Sequence, residues 1–451
     1  MSLIEEASLF IAKSRLPELV VKGIGRIKES YTHQEKLFPP PNPSLRNISK
    51  EPMLKLIKEY LSSKRELGLY IHLPFCKYSC KFCNYVRIVN PSSLFVNSYL
   101  SALKKEFNAY SNIYERDKIN FNAIYFGGGT PTYLSARQIK GLLSHTFNRG
   151  QTRPDIEITF EASPETINKS KIYELLEGGV NRLSIGVEAL QNHLLMSMGR
   201  KHDVSCVIRA YRLAQKMGFK YINIDLIYGY PGQTCEDWQQ SLDEVIKLNP
   251  RGIHAYRLLP GHGAMLYKVF QRKTDLNTIA TSLIMGALAK EKLHKAGYTQ
   301  QSLYKFTKPD IQLKRQKSFM SQVTDKIGLG VSARSYINGL AYMNCCSING
   351  YLRSIKRGAL PANKARILPL RERIAFIIAM CAELMRLDKA EFYRNTGIPI
   401  ENVLGASLEA LSRLDLINIS GHFIDLTQKG TLFAQEVWPG LIYKYIKNYS
   451  N

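Results

Sequence analysis

The sequence predicts an α/β fold whose core is a partial (β/α)6 TIM-like barrel. Between residues 67 and 260, short apolar segments alternate with amphipathic helical segments, and polar motifs follow the apolar segments directly. Repeated strand–helix units form parallel sheets with right-handed crossovers. Six units fall short of the eight that close a complete barrel. The predicted strands are Gly68–Leu73, Ala123–Phe126, Ile156–Phe160, Arg182–Val187, Tyr221–Ile227 and Gly252–Arg257.

Helices are predicted between these strands, because apolar residues recur there at helical spacing. They span Val96–Tyr110, Ala136–His145, Lys169–Glu177, Val204–Met217 and Cys235–Leu248. In such a fold, functional side chains collect at the carboxyl ends of the strands.

The core is predicted at residues 67–260 and follows an N-terminal helical extension at residues 1–66. That extension has an amphipathic face between Leu9 and Val20. It also contains a proline-rich arm, Phe38–Pro43, which cannot be helical.

Two regions follow the core. Residues 261–360 are predicted to extend the barrel and cover the substrate, and residues 361–451 to form a small helical, winged-helix-like domain. Such a domain can bind nucleic acid, but more often it packs as a cap. The predicted elements are helices Asn277–Ala296, Glu372–Arg386 and Val403–Leu414, a hairpin at Ile417–Asp425 and a helix from Leu426.

Composition places the chain among globular proteins. Of its 451 residues, 45% are hydrophobic and 22% charged, and no apolar run approaches a membrane span. The first residues lack the pattern of a signal peptide, so we expect a cytoplasmic protein. The net charge of +25 favours anionic partners, which could be carboxylate-rich substrates, nucleic acid or an anionic membrane.

The most informative motif is C-x3-C-x2-C at Cys76, Cys80 and Cys83, directly after the first predicted strand. Three thiolates are one fewer than a closed four-iron cluster or structural zinc site needs. One iron would therefore stay open for a small ligand, and Lys77 and Lys81 between the ligands would favour the thiolate forms. A zinc site, with His72 as the nearest fourth ligand, is the weaker alternative.

Two further groups follow strands. Gly127-Gly128-Gly129-Thr130 follows the second strand, and its glycines allow close approach of a ligand to the backbone. Charged residues follow or end the later strands, which predicts one shared polar site rather than scattered surface charges. These residues are Glu161, Glu188, Arg200 and Asp225.

Together these motifs resemble the radical S-adenosylmethionine (SAM) superfamily, and within it the oxygen-independent coproporphyrinogen III oxidase family. The similarity runs from about Leu69 to Arg257 and resumes at Ile327–Ser335. It continues loosely to Leu426-Thr427-Gln428-Lys429-Gly430.

The resemblance implies a [4Fe–4S] cluster ligated by Cys76, Cys80 and Cys83, with SAM on the open iron. It also implies that a second SAM binds beside the first. Glu161 and Glu188 are the predicted catalytic residues. The residues implied to line the SAM sites are Tyr70, Phe82, Gly128, Gly129, Thr130, Glu161, Glu188, Arg200, Asp225, Arg257 and Arg334.

Departures from the oxidase pattern predict a different reaction. Tyr85 stands where the oxidase has a further cysteine, and a Gly-Tyr-Thr-Thr element is absent, the nearest stretch being Phe319–Thr324. What remains resembles the methyltransferase branch, so the predicted reaction uses the second SAM for C-methylation or cyclopropanation of an unsaturated substrate.

Three alternatives stay open. One is oxidative decarboxylation of a porphyrinogen-like substrate. Another is a haem-binding chaperone, although Arg315-Gln316 replace the His-Asn pair of such chaperones. The third, RNA modification, rests only on charge and the C-terminal domain.

The predicted partners follow from this chemistry. We expect a small-molecule substrate, anionic or carrier-bound, and a one-electron donor such as flavodoxin or ferredoxin. A monomer without nucleic acid and without a membrane span is expected.

Overall fold

The computed structural model describes residues 45–47, 49–62, 66–114, 119–258, 264–267, 276–310 and 325–434. The predicted amphipathic face at Leu9–Val20 and the arm at Phe38–Pro43 lie outside these ranges. So do Arg315-Gln316 and the stretch Phe319–Thr324.

Within the described residues, one large sheet organises the molecule. Its strands are β1 (Arg46–Asn47), β2 (Leu67–Leu73), β5 (Ile119–Gly128), β6 (Gly150–Ala162), β7 (Arg182–Glu188), β8 (Tyr221–Tyr228), β9 (Gly252–Arg257), β10 (Thr299–Gln300), β11 (Lys305–Thr307), β12 (Lys326–Leu329), β13 (Arg334–Ile337), β14 (Leu340–Asn344) and β15 (Ala362–Ile367). Two short strands, β3 (Phe75–Cys76) and β4 (Ile88–Val89), pair separately.

The centre of the sheet is parallel, in the order β12-β2-β5-β6-β7-β8-β9. The six predicted strands are therefore confirmed. Sequence reasoning missed the seventh, β12, which lies beside the first strand although more than 250 residues separate them. Antiparallel strands flank this parallel core on both sides.

Helices cover the outer face of the sheet, and the predicted core helices are confirmed with small shifts at their ends. They are α1 (Lys50–Ser62), α2 (Ser93–Ile113), α3 (Ala136–Arg149), α4 (Lys169–Glu177), α5 (Asn192–Ser197), α6 (Val204–Lys216), α7 (Cys235–Leu248), α8 (Leu276–Lys295) and α9 (Ile348–Lys356). Side-chain caps fix several starts. For example, Ser135 and Gln138 form a capping box that begins α3.

The C-terminal region gathers a second apolar core. Its elements are α10 (Leu370–Leu384), β16 (Arg386–Asp388), α11 (Lys389–Thr396), α12 (Ile400–Arg413), β17 (Ile417–Ile419), β18 (Phe423–Leu426) and α13 (Gln428–Leu432). The strand β16 precedes α11 and α12 and pairs with β18, and β18 pairs with β17, so helices and a small antiparallel sheet are interleaved here. The winged-helix-like domain stays a prediction. The exact domain boundaries stay a prediction.

None of the described helices is long and apolar enough to cross a membrane.

Candidate active site

Strand alternation gives the barrel a polar interior. Along β6, Ile158 and Phe160 face the helices and are buried in the apolar core, whereas Glu157 and Glu161 face inward. Because side chains alternate at every second residue, each parallel strand contributes polar groups to the same interior. These groups form the candidate site.

The cysteine loop leaves β2 and is closed by the short pair β3–β4. The backbone N–H of Asn90 donates to the carbonyl of Cys76 at 2.9 Å, and that of Ile88 donates to Pro74 at 2.6 Å. Cys76 is buried at the end of β3, whereas Cys80 and Cys83 are half-buried. The loop therefore returns on itself and places all three cysteines at the carboxyl end of β2, at the mouth of the barrel.

Arg87 organises this loop, and sequence reasoning missed it. Its guanidinium donates to Ser79 Oγ at 2.7 and 2.9 Å, to the Cys83 carbonyl at 3.1 Å and to the Tyr85 carbonyl at 3.0 Å. One side chain thus joins three points of the loop that carries the cysteines. The only sequence signal was an arginine shortly after the last cysteine.

The environment of the thiols suits binding to a positively charged group. Burial raises the pKa of Cys80 to about 11, and Arg200 opposes this shift. Burial also raises the pKa of Cys76, and a charge on Cys83 raises it further. The three sulfurs therefore interact with one another, and iron would offset this repulsion. The cations that oppose the shifts are Arg87 and Arg200, whereas the prediction named lysines.

The zinc alternative loses its fourth ligand. His72 Nε2 donates to the Val86 carbonyl at 3.0 Å, and its Nδ1 accepts from the Tyr70 hydroxyl at 3.0 Å. Burial lowers the pKa of His72 to about 4, so the ring is neutral with both nitrogens engaged. In the described ranges, no three His, Cys, Asp or Glu side chains are grouped to hold one metal ion. A four-iron cluster needs no such group, because each cysteine binds a different iron.

The glycine run packs tightly against the cysteine loop. A Cβ on Gly129 would lie 2.7 Å from the Phe75 carbonyl oxygen. On Gly128, which has φ +111°, it would lie 2.5 Å from His72 Nδ1. The missing side chains therefore let β5 approach the strand that leads to Cys76. Contact of these glycines and Thr130 with SAM stays a prediction.

Glu161 lies at the end of β6 beside the glycine run. Its carboxylate accepts from the Tyr125 hydroxyl at 2.5 Å and from the Gly128 N–H at 3.1 Å. Burial raises the pKa of Glu161 to about 7, the Tyr125 hydrogen bond opposes the shift, and Asp225 adds to it. The structure therefore brings Glu161 next to the predicted glycine and Asp225 sites.

Glu188 and Arg200 form a buried ion pair, with both side chains 9% exposed. Arg200 also donates to Ser163 Oγ at 3.2 Å, and its guanidinium lies 5.8 Å from the centre of the Phe82 ring. Glu188 has φ +70° where the register with β8 shifts. A strained backbone of this kind is retained at functional sites when the surroundings hold it in place.

Asp225 ends a buried hydrogen-bond network. It accepts from Ser184 Oγ at 2.9 Å and Asn223 Nδ2 at 2.7 Å, and lies 2.8 Å from His254 Nδ1. Burial lowers the pKa of His254 to about 4, and Arg182 donates to its Nε2 at 3.1 Å. The neutral ring therefore keeps its proton on Nδ1 and donates to Asp225.

Two predicted SAM-site arginines lie apart from this group. Arg257 lines a crevice with Ala255 and α8, on the outer side of β9. Arg334 begins β13 across the barrel mouth. Partial burial of the Tyr85 hydroxyl at the mouth raises its pKa to about 12, although the residue as a whole is 59% exposed. Glu161 and Cys83 add to this shift, and Arg334 opposes it. Arg334 thus faces the mouth, whereas the side chain of Arg257 does not.

The interior also contains groups that sequence reasoning missed, notably Arg182, His254 and Lys305. They lie on the inward side of their strands, in phase with predicted residues such as Asp225. The available signal was a polar residue at every second position of an otherwise apolar strand.

Comparisons with known proteins agree with this geometry. Residues 70–245 match the radical SAM superfamily. The heme chaperone HemW of Bacillus subtilis is 27% identical over 83% of this chain and 98% of that protein. HemW of Lactococcus lactis is 30% identical over 63% of this chain and 73% of that protein. The solved coproporphyrinogen III oxidase HemN of Escherichia coli has a TM-score of 0.73 and 25% identity, covering 87% and 93% of the two chains.

These relatives overturn the predicted reaction. They are heme chaperones and coproporphyrinogen III oxidases, so the prediction of a methyltransferase that methylates or cyclopropanates its substrate is wrong. The [4Fe–4S] cluster and SAM are the cofactors of this superfamily, and the cysteine loop fits them. The chain belongs to the radical SAM superfamily and, within it, to the family of oxygen-independent coproporphyrinogen III oxidases and HemW proteins.

Proposed function

We propose that this protein catalyses the oxidative decarboxylation of a porphyrinogen-like substrate that carries carboxylates. The observation that carries this proposal is the position of Glu161, Asp225 and the Glu188–Arg200 pair. They converge beside the cysteine loop, inside a barrel that also holds the buried cations Arg182 and Lys305. The overall similarity to the E. coli oxidase supports the same reaction class.

The proposed roles follow from these positions. Cys76, Cys80 and Cys83 would ligate the cluster, leaving one iron for SAM. When bound, the reduced cluster and SAM supply a carbon-centred radical that can take a hydrogen atom from the substrate. The residues proposed to line SAM are Tyr70, Phe82, Gly128, Gly129, Thr130, Glu161, Glu188, Arg200 and Asp225.

The chain itself orients and encloses the reactants. The Tyr125 hydroxyl and the Gly128 N–H hold the Glu161 carboxylate in place. In that position it would bind a positively charged group of SAM. Arg334 faces the mouth, where it would meet a second SAM or the substrate. Arg257 could reach that site only through its backbone, because its side chain lies on the outer side of β9.

The overall change balances without a further group from the protein. The substrate loses a hydrogen atom, carbon dioxide and one electron, and gains a carbon–carbon double bond. The hydrogen atom would leave as part of 5′-deoxyadenosine, and the electron would pass to a one-electron carrier of the flavodoxin or ferredoxin class. A carrier of the same class would reduce the cluster.

The test uses the full chain, reconstituted anaerobically with iron and sulfide and supplied with SAM, a reductant and coproporphyrinogen III. We expect 5′-deoxyadenosine together with a porphyrinogen whose neutral mass is lower by carbon dioxide and two hydrogens for each carboxylate lost. Rapid formation of 5′-deoxyadenosine without loss of carbon dioxide from any carboxylated porphyrinogen would overturn the reaction assignment.

The second candidate function is haem binding and delivery. The observation that favours it is the B. subtilis HemW match, which spans 98% of that protein. Stoichiometric haem binding that survives dilution, together with no product from coproporphyrinogen III, would decide for this candidate.

A further inference from the structure

Lys305 lies on the inner side of the barrel. Strand β11 pairs antiparallel with β9, and Lys305 is opposite His254 in this register. Its neighbour Phe306 faces outward and lines the crevice with Ala255 and Arg257. Because side chains alternate along a strand, Lys305 points inward, on the side of His254 and Asp225.

The Lys305 side chain is buried and has no partner for its charge among the described residues. The residue is only 4% exposed, and its ammonium lies 5.9 Å from the centre of the Tyr304 ring. In the described part of the chain, neither a hydrogen bond nor an ion pair reaches this ammonium. A buried ammonium without a counter-ion is unfavourable, so its retention needs a reason.

The nearby carboxylates are already engaged. Glu157 pairs with Arg182 at 3.4 Å, and Glu383 of α10 accepts from the Tyr304 hydroxyl. Asp225 accepts from Ser184 and Asn223. Burial lowers the pKa of Lys305 to about 8, Arg182 lowers it further, and these three carboxylates oppose the shift. They act on Lys305 from a distance rather than as direct partners.

An aromatic wall lies beside this ammonium. The Tyr256 and Tyr304 rings lie 4.6 Å apart at 32°. The Tyr256 hydroxyl is 2.9 Å from His254 Nδ1, which ties the wall to the Asp225 network. A flat, apolar ligand with an anionic edge would therefore meet an aromatic surface and a cation together.

We propose that the Lys305 ammonium binds a carboxylate of the substrate, with the body of the substrate against Tyr256 and Tyr304. This inference rests on the proposed function only in taking the ligand to be a carboxylated tetrapyrrole. A singly charged carboxylate fits better than a phosphate dianion, because three carboxylates already surround the site and would repel a second negative charge.

The probe is coproporphyrin III, compared with its tetramethyl ester, on the reconstituted full chain. Binding is followed by porphyrin absorbance and fluorescence. For Lys305→Met we expect coproporphyrin affinity to fall at least tenfold, while Lys305→Arg keeps most of it. The ester should bind the wild type weakly and be indifferent to the substitution. The matched control is Lys308→Met, because the Lys308 ammonium bonds the Ala296 carbonyl outside the barrel.

The same variants show that the fold and the cofactor site are intact. Removing an unpaired buried charge should leave the melting temperature unchanged or higher, and SAM affinity unchanged. Coproporphyrin affinity within twofold of wild type in Lys305→Met would overturn the proposal, as would equal binding of acid and ester. A tenfold loss of SAM affinity in Lys305→Met would also overturn it, because Lys305 would then serve the SAM carboxylate.

Failure of the proposed function remains distinguishable. If the wild type binds coproporphyrin through Lys305 but never releases carbon dioxide, the decarboxylation is refuted while the carboxylate site stands. If decarboxylation proceeds equally in wild type and Lys305→Met with unchanged affinity, the site is refuted while the function stands.

Discussion

The two walls of the barrel differ in how they satisfy their charges. The near wall, formed by β2, β5, β6 and β7, pairs its groups internally: Glu161 is held by Tyr125 and Gly128, and Glu188 by Arg200. The far wall, formed by β9 and β11, presents the Lys305 ammonium, which is unpaired among the described residues. A preorganised near wall suits a cofactor shared by the superfamily, whereas an unsatisfied far wall suits a ligand specific to this chain.

The largest effect is expected from removing the cysteines of the loop that follows β2 in the near wall. Replacing Cys76, Cys80 and Cys83 with alanine should abolish cluster binding and all SAM cleavage, measured by iron analysis and 5′-deoxyadenosine. Cys206→Ala in α6 is the control and should behave as wild type. Retention of about four irons per chain in the triple variant would refute the ligand assignment.

The next largest effect is expected at the near-wall ion pair. Arg200→Met leaves the buried Glu188 carboxylate unpaired and should lower the free energy of unfolding by about 3–5 kcal/mol. The double variant Glu188→Met/Arg200→Met should recover much of this loss, because no buried charge remains. Urea unfolding of the wild type, Glu188→Met, Arg200→Met and the double variant measures these changes in the free energy of unfolding.

An exposed ion pair serves as the control for this prediction. Lys247 pairs with Glu244 at the surface, with side chains 70% and 39% exposed. Lys247→Met should change stability by only about 0–1 kcal/mol. If Arg200→Met were equally mild, the pair would not be desolvated as described.

Glu161→Gln should sharpen the assignment of the near wall to SAM. The amide can still accept from Tyr125 but carries no charge for a cationic group of SAM. Loss of a charged hydrogen bond of about 1.5–3 kcal/mol predicts SAM cleavage lowered roughly tenfold to hundredfold. Coproporphyrin binding at the far wall should not change. An unchanged rate of 5′-deoxyadenosine formation would show that Glu161 is structural.

The smallest effect is expected behind the near wall, at Glu106 of α2. This buried carboxylate accepts from Gly330 N at 2.8 Å, Asn344 Nδ2 at 2.6 Å and Tyr351 Oη at 2.7 Å, bracing the turn after β12. Burial raises the pKa of Glu106 to about 7, although these three hydrogen bonds oppose the shift. The folded chain therefore holds this proton more tightly than the unfolded chain.

It follows that the contribution of Glu106 to the free energy of unfolding falls as pH rises from about 4.5 to about 7, by at most about 1.4 kcal/mol per pH unit. Glu106→Gln should lack this slope, so the difference from wild type should change across that window. Urea unfolding at several pH values measures it, with exposed Glu177→Gln as the control. Parallel pH profiles of wild type and Glu106→Gln would contradict the raised pKa.

The sequence predicted the parts of the molecule governed by local pattern. The alternation of short apolar segments with helical segments located β6 and β8, and the cysteine spacing located the cluster loop. It did not locate β12 in the parallel sheet, because its pairing with β2 joins segments remote in the chain. It also did not reveal that Arg200 pairs with Glu188, since that contact depends on the shifted register at the end of β7.

The choice of reaction failed for a different reason. Tyr85 and the absent Gly-Tyr-Thr-Thr element show which groups of the oxidase are missing from this chain. They do not show which side chains take over the work of the missing groups. The side chain that distinguishes the far wall, Lys305, lies outside every motif considered, so nothing in the sequence connected it to the site.

The bond from Tyr304 to Glu383 has a consequence for engineering. The Leu303 N–H also donates to the Glu383 carbonyl at 3.0 Å, so one residue of α10 holds both the backbone and the side chain of the segment that leads to Lys305. Chimeras with relatives should therefore exchange residues 303–307 and α10 together. A hybrid with a fusion point between them would inherit an aromatic wall without its support.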